Sequence, residues 1–243
     1  MRTLGLLALL AACSVPPLSL EGKSCPCTDG FVCDTLTNRC LATNDGGVII
    51  DSPAATQCLP SLGTEAEIYR YAGTFDWGNQ GGTWSGTATE IRQTDKMAET
   101  TSYRTSVDLN LANVHVLASM RETAEGNGGT PALGIVLRSS LDGSSHYRCL
   151  WSAGQRKLYI ERQDGGGATM IGNAASVPAT TMVPASFTME ASASGSSLSC
   201  CIREVAQARV TNVIDTALAT GFPGLETARK AAVFGSFVVF KLN

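Results

Sequence analysis

From Thr83 to the C-terminus, apolar and polar residues alternate or run together in short segments separated by turn-forming clusters. TWSGTATEIRQ, TSYRTSVDLN, VHVLASMRE, LGIVLRSS, HYRCLWS, KLYIERQ, SFTMEASA, SLSCCIRE and AVFGSFVVFKL are punctuated by EGNGGTP, LDGSS and DGGG. A period of two bounded by Gly, Asn, Asp and Ser predicts strands. Helical periodicity is weak, and only LGTEAEIYR, residues 62–70, reads as a short helix. Many short strands with regular turns imply an all-β domain, a two-sheet sandwich or a barrel. Alternation also assigns faces: Tyr147, Cys149 and Trp151 share one side of their strand and Arg148 and Leu150 the other. Adjacent Cys200 and Cys201 must then point in opposite directions.

Two stretches depart from this pattern. In MRTLGLLALLAAC a single basic residue, Arg2, precedes an apolar run from Leu4 to Ala12 that ends at Cys13. A spanning helix needs about 20 apolar residues, so the run reads as an export signal. Its end, Leu10-Ala11-Ala12-Cys13, resembles the bacterial lipoprotein box. That resemblance implies lipidation at Cys13 and anchoring in the cell envelope, and Ser14 points to the outer membrane under the usual sorting pattern.

KSCPCTDGFVCDTLTNRCL, residues 23–41, holds Cys25, Cys27, Cys33 and Cys40. The spacing suits either a zinc site or two disulfides. Export to an oxidising space favours disulfides, with three connectivities open, and neither His115 nor His146 lies nearby in sequence. The string resembles small cysteine-rich modules that follow lipoprotein signals in bacteria of the myxobacterial type. The expected organisation is a signal peptide over 1–12, a lipidated N-terminus and cysteine-rich module over 13–45, a linker over 46–64 and a strand-rich domain over 65–243.

The formal net charge is −3, and removal of residues 1–12 takes away only Arg2. No basic run stands out, which argues against a nucleic-acid partner. Four cysteines belong to the strand-rich domain. Cys149 is expected to pair with Cys200 or Cys201, and Cys58 with the one left over; the alternative is that one or two stay reduced as small buried hydrophobes.

The order GTFDWGNQGGTWSGTATEIRQ, LGIVLRSSLDGSSHYRCLW, KLYIERQDGGG and DTALATGFPGLETARKAAVFGSFVVFKL resembles the concanavalin A-like lectin/glucanase superfamily, including laminin G-like modules. Trp84, Gly134 to Arg138, Tyr147 and Gly221 to Leu225 carry the resemblance. It implies a jelly roll of two antiparallel sheets, one of them concave, and a lectin-like role.

Retaining glucanases of that superfamily carry E-x-D-x-x-E on one strand, since the chemistry needs two carboxylates a short fixed distance apart. No glutamate in this chain is followed two positions later by aspartate. The expectation is therefore binding without catalysis, with a hydrolase using scattered carboxylates as the enzymatic alternative. Candidate glycan-binding residues are Arg138, Tyr147, Arg148 and Trp151, with His146 at the turn, because aromatic faces and planar guanidinium groups suit sugars. Core packing is the competing role for Tyr147 and Trp151, as for Trp77 and Trp84. The expected partner is a glycan or an envelope protein. No cofactor is expected; the laminin G-like resemblance brings in a rim calcium with Asp76, Asp142 or Asp215, residues that turns also use for their own hydrogen bonds.

Overall fold

The computed structural model of the chain describes residues 31–34, 39–44, 47–48, 58–59, 65–73, 78–98, 101–104, 109–165 and 167–243. It divides into two compact units between Asp51 and Ser52. The first holds a three-stranded antiparallel sheet of β1 (Phe31–Asp34), β2 (Arg39–Asn44) and β3 (Gly47–Val48). Its register sets the backbone of Cys33 opposite that of Cys40. Cys13, Cys25 and Cys27 lie outside the described residues.

The second unit is a sandwich. Its strands are β4 (Glu65–Arg70), β5 (Gly78–Gln80), β6 (Trp84–Gly86), β7 (Ile91–Gln93), β8 (Thr101–Arg104), β9 (Val114–Glu125), β10 (Ala132–Ser139), β11 (Ser145–Ser152), β12 (Lys157–Asp164), β13 (Gly167–Ser176), β14 (Ser186–Ser194), β15 (Ser197–Ile202), β16 (Val205–Ile214), β17 (Phe222–Ala228) and β18 (Lys230–Leu242). One sheet has seven strands in the order β13-β12-β11-β10-β17-β8-β5. The other has eight, in the order β16-β15-β14-β9-β18-β7-β6, with β4 also paired to β18. All of these pairings are antiparallel, and the described residues include no helix. The domain is thus the two-sheet jelly-roll sandwich expected of the sequence.

The stretch expected to be helical is a strand. Glu65–Arg70 pairs with the C-terminal end of β18, from Val238 to Leu242. Tyr69 packs edge-on against Phe237, with ring centroids 6.1 Å apart, and the ladder with β18 overrides the helix propensity of Glu and Ala.

The core lies between the sheets. Leu133, Ile135 and Leu137 of β10, Tyr147, Cys149 and Trp151 of β11 and Leu158 and Ile160 of β12 meet Val116, Ala118 and Met120 of β9, Met189 and Ala191 of β14 and Leu198 and Cys200 of β15. Each large side chain buried this way contributes about 1.5–3 kcal/mol. In β18, Phe234 and Phe237 both reach this core although three residues apart would put them on opposite faces of a regular strand. A register shift between Phe234 and Ser236 restores the phase. The Ser236 N–H donates to Ser119 Oγ at 2.8 Å, so the irregularity leaves that donor satisfied.

Candidate functional site

The pleat that sends Tyr147, Cys149 and Trp151 inward turns the alternate residues of the seven-stranded sheet outward. Along that outward face lie Glu226 on β17, Gly134 and Val136 on β10, His146, Arg148 and Leu150 on β11, and Tyr159, Glu161 and Gln163 on β12. Register aligns them in rows: Glu226 opposite Gly134, Gly134 opposite Leu150, Leu150 opposite Tyr159; then Val136 opposite Arg148 and Arg148 opposite Glu161.

Arg148 and Glu226 stand two strands apart and meet on a diagonal over β10, where Val136 is opposite Arg148 and Glu226 is opposite Gly134. A Cβ at Gly134 would run into the Cys149 carbonyl, so the close approach of β11 demands glycine. Arg148 Nη1 donates to Glu226 Oε1 at 2.6 Å, and Nε donates to Glu161 Oε2 at 2.9 Å. Nη2 stands 2.7 Å from the same Glu161 oxygen. His146 Nε2 lies 3.1 Å from Glu226 Oε2, and its Nδ1 lies 3.1 Å from the Gly143 carbonyl. Glu226 is fully buried, and His146 and Arg148 are buried.

Burial pulls the Arg148 guanidinium down, but the charges of Glu226 and Glu161 outweigh it and leave its pKa above the usual value. Beside the cluster, burial first and the Glu161 charge second push the Tyr159 hydroxyl up to about 12. Tyr159 also joins Ala132 and Leu150 in a small apolar patch on this outward face. A nearly dry group of charges on the outward side of a sheet is costly to assemble and is a candidate for function.

Of the four residues expected to bind, only Arg148 belongs to this cluster, together with His146. Tyr147 and Trp151 are buried in the core, the role their alternation had left open. Cys149 between them is bonded to Cys200 on the other sheet, which fixes that face as the inner one. The Tyr147 hydroxyl donates to Asp215 Oδ1 at 2.6 Å and accepts from the Leu218 N–H at 3.0 Å.

Arg138 spends its donors on backbone carbonyls. It reaches Ala112 from Nε at 3.0 Å, Leu218 from Nη1 at 2.9 Å and Gly195 from Nη2 at 2.6 Å, and so ties three connecting segments together. Its φ of 51° follows a register shift between Val136 and Ser139. It is a buried fastening at the end of β10 rather than an outward fork.

The aspartates considered for calcium are engaged within the protein. Asp142 Oδ1 accepts from Ser140 Oγ at 2.6 Å and from Ser144 N and Oγ at 3.1 and 2.9 Å. These bonds, that of Ser140 first, hold its carboxyl at about 2. Asp215 accepts from Tyr147, from the Ala217 N–H and from Arg162 Nη1 at 2.6 Å, and Asp76 lies outside the described residues. Among the described residues, one group has metal-ligand spacing, Cys58 with Glu190 and Cys201, and its two sulfurs are joined to each other.

Both disulfides of the sandwich follow the sequence reading: Cys149 with Cys200, and Cys58 with Cys201. On the outward face of the eight-stranded sheet, beside Cys201, the fully buried Glu190 bonds Arg203 and lies 3.4 Å from His115 Nε2. Glu226, Glu161, Tyr159 and Glu190 escaped the sequence reading. Glu226 and Glu190 sit inside apolar strand segments, where only the cross-strand register reveals a partner.

No protein-family model matches the chain, and no curated protein matches it. Among solved structures, the carbohydrate-binding module CBM66 from Bacillus subtilis superposes with a TM-score of 0.54 at 18% identity, over 65% of this chain and 91% of that one. The exoplasmic/lumenal domain of VIP36, in a form with calcium and Man3GlcNAc bound, superposes with a TM-score of 0.53 at 11% identity, over 74% of this chain and 91% of that one. At such identities the likeness is one of architecture, that of the jelly-roll sandwich.

Proposed function

We propose that the sandwich binds carbohydrate without cleaving it, on the outward face of the seven-stranded sheet. The observation that carries this reading is the cluster of Arg148, Glu226, His146 and Glu161, set on the solvent side of the sheet in a fold shared with a carbohydrate-binding module. Oriented carboxylate and guanidinium groups match sugar hydroxyls, which need directional partners. Net gain per such bond is about 0.5–1.5 kcal/mol, so single-sugar affinity is expected to be weak. In the same proposal, lipid on Cys13 tethers the protein to the cell envelope, in the outer membrane, and the 46–64 stretch holds the sandwich away from the bilayer.

The test is retention of the exported protein in gels containing polysaccharide. The double variant Arg148→Met with Glu226→Leu, which strands no charge in that pair, should lose retention while near-ultraviolet circular dichroism is kept. Retention unchanged in that variant would move the site elsewhere, and no retention by any glycan would favour an envelope-protein partner.

One observation favours a second reading, hydrolysis: Glu161 and Glu226, far apart in sequence, share one guanidinium. A glycosidase needs both carboxylates at the scissile bond, and Glu226 is fully buried, which is why binding is preferred. Reducing-end release abolished by Glu226→Gln would establish the hydrolase.

A further inference from the structure

We infer that the glycan taken by this face is uncharged, and that Glu161 is the residue that turns acidic glycans away. This rests on the carbohydrate reading and concerns which class of glycan enters. The cluster sets two carboxylates, Glu161 and Glu226, against the single guanidinium of Arg148, and the cationic donors are turned inward. Arg148 directs Nε and Nη2 at Glu161 Oε2 and Nη1 at Glu226 Oε1. His146 faces Glu226 Oε2.

His146, Arg148 and Glu226 are all more than nine-tenths buried. Solvent meets the cluster chiefly at Glu161, whose side chain is 17% exposed. Its companions on this face are Gln163, two positions along β12, and Met170, directly opposite on β13 and 50% exposed. A ligand arriving here first meets a carboxylate, flanked by an amide and by the apolar body of a thioether, with the cation behind already bonded.

A carboxylate accepts hydrogen bonds and donates none. Sugar hydroxyls satisfy it, and the C–H face of a ring can lie on Met170. A uronate, sulfate or phosphate would instead set a second anion against Glu161, and like charges at that range repel. The cations nearby do not offset this. Arg162, the next residue on β12, is paired with Asp164 and Asp215, and Lys157 stands at the far end of that strand.

The test is affinity electrophoresis of the full exported chain in gels containing a neutral polysaccharide panel (glucan, mannan, fructan, galactan) or an acidic one (polygalacturonate, heparin). The wild type should be retarded by at least one neutral polymer and by neither acidic one. Glu161→Gln keeps the size of the side chain and removes its charge. It should weaken neutral retention by roughly threefold, as a charge-assisted bond becomes a neutral one, while retention by an acidic polymer rises. A gain of acidic retention beside a loss of neutral retention is not what unfolding gives, since unfolding removes the binding face. Retardation of the wild type by an acidic polymer, or a Glu161→Gln variant that gains no acidic retention, overturns the inference and leaves the carbohydrate reading standing. Retention by neither panel takes away both.

Discussion

Cys200 and Cys201 are neighbours in the chain and fasten opposite faces of one strand. Cys200 crosses the core to Cys149 of the other sheet, with Cα atoms 6.3 Å apart, while Cys201 holds Cys58 on the outside at 6.0 Å. One dipeptide therefore closes loops of sequence separation 51 and 143. In the chain-entropy account these are worth about 4 and about 5 kcal/mol. The shorter loop should nevertheless matter more to the folded state, because both of its sulfurs fill the core and their loss leaves a void. Cys149→Ala with Cys200→Ala should lower Tm further than Cys58→Ala with Cys201→Ala. The reverse order in paired thermal melts would show that tethering outweighs core packing.

The Arg148–Glu226 pair predicts a marked asymmetry. Removing one member strands a buried charge, at a cost of about 3–5 kcal/mol, whereas replacing both by apolar groups can be neutral. Arg148→Met should thus destabilise strongly, and adding Glu226→Leu should recover most of the loss. A denaturant double-mutant cycle measures this, and a coupling energy near zero would mean that the two charges act independently.

Glu190 sets an acid limit to stability. Burial alone would raise its carboxyl, but the His115 bond and the Arg203 charge outweigh it and leave the folded value below the ordinary one. A depressed carboxyl stabilises the fold above its unfolded value, about 4.3, and that contribution is lost as pH falls through the folded value. Glu190→Gln should be less stable than the wild type near neutral pH, and the two Tm curves should converge below about pH 4. Parallel curves down to that acidity would remove Glu190 from this role.

Much of the fold was legible because two-residue periodicity is local. It assigned Tyr147, Cys149 and Trp151 to one face and sent Cys200 and Cys201 opposite ways, and the disulfides followed. The site was less legible because its partners are not local: Glu226 reaches Arg148 over β10, across a gap only the strand order creates. Alternation could group Tyr147 with Trp151 but could not say which face was inner. The Glu65–Arg70 segment misled for the same reason, since its pairing partner lies at the C-terminus.

Arg138 supplies a last test, one that separates fastening from binding. It holds a left-handed φ of 51°, which costs a non-glycine residue roughly 1–2 kcal/mol, and its side chain bonds the carbonyls of Ala112, Leu218 and Gly195. Arg138→Ala keeps the strain and abandons three acceptors, whereas Arg138→Gly abandons the same acceptors but relieves the strain. Both should lower Tm, the alanine variant by more, with a gap of about 1 kcal/mol between them. Because none of its bonds faces the outward cluster, glycan retention of whichever variant stays folded should match the wild type. If Arg138→Gly instead loses retention at full stability, Arg138 touches the ligand and the site extends past the end of β10.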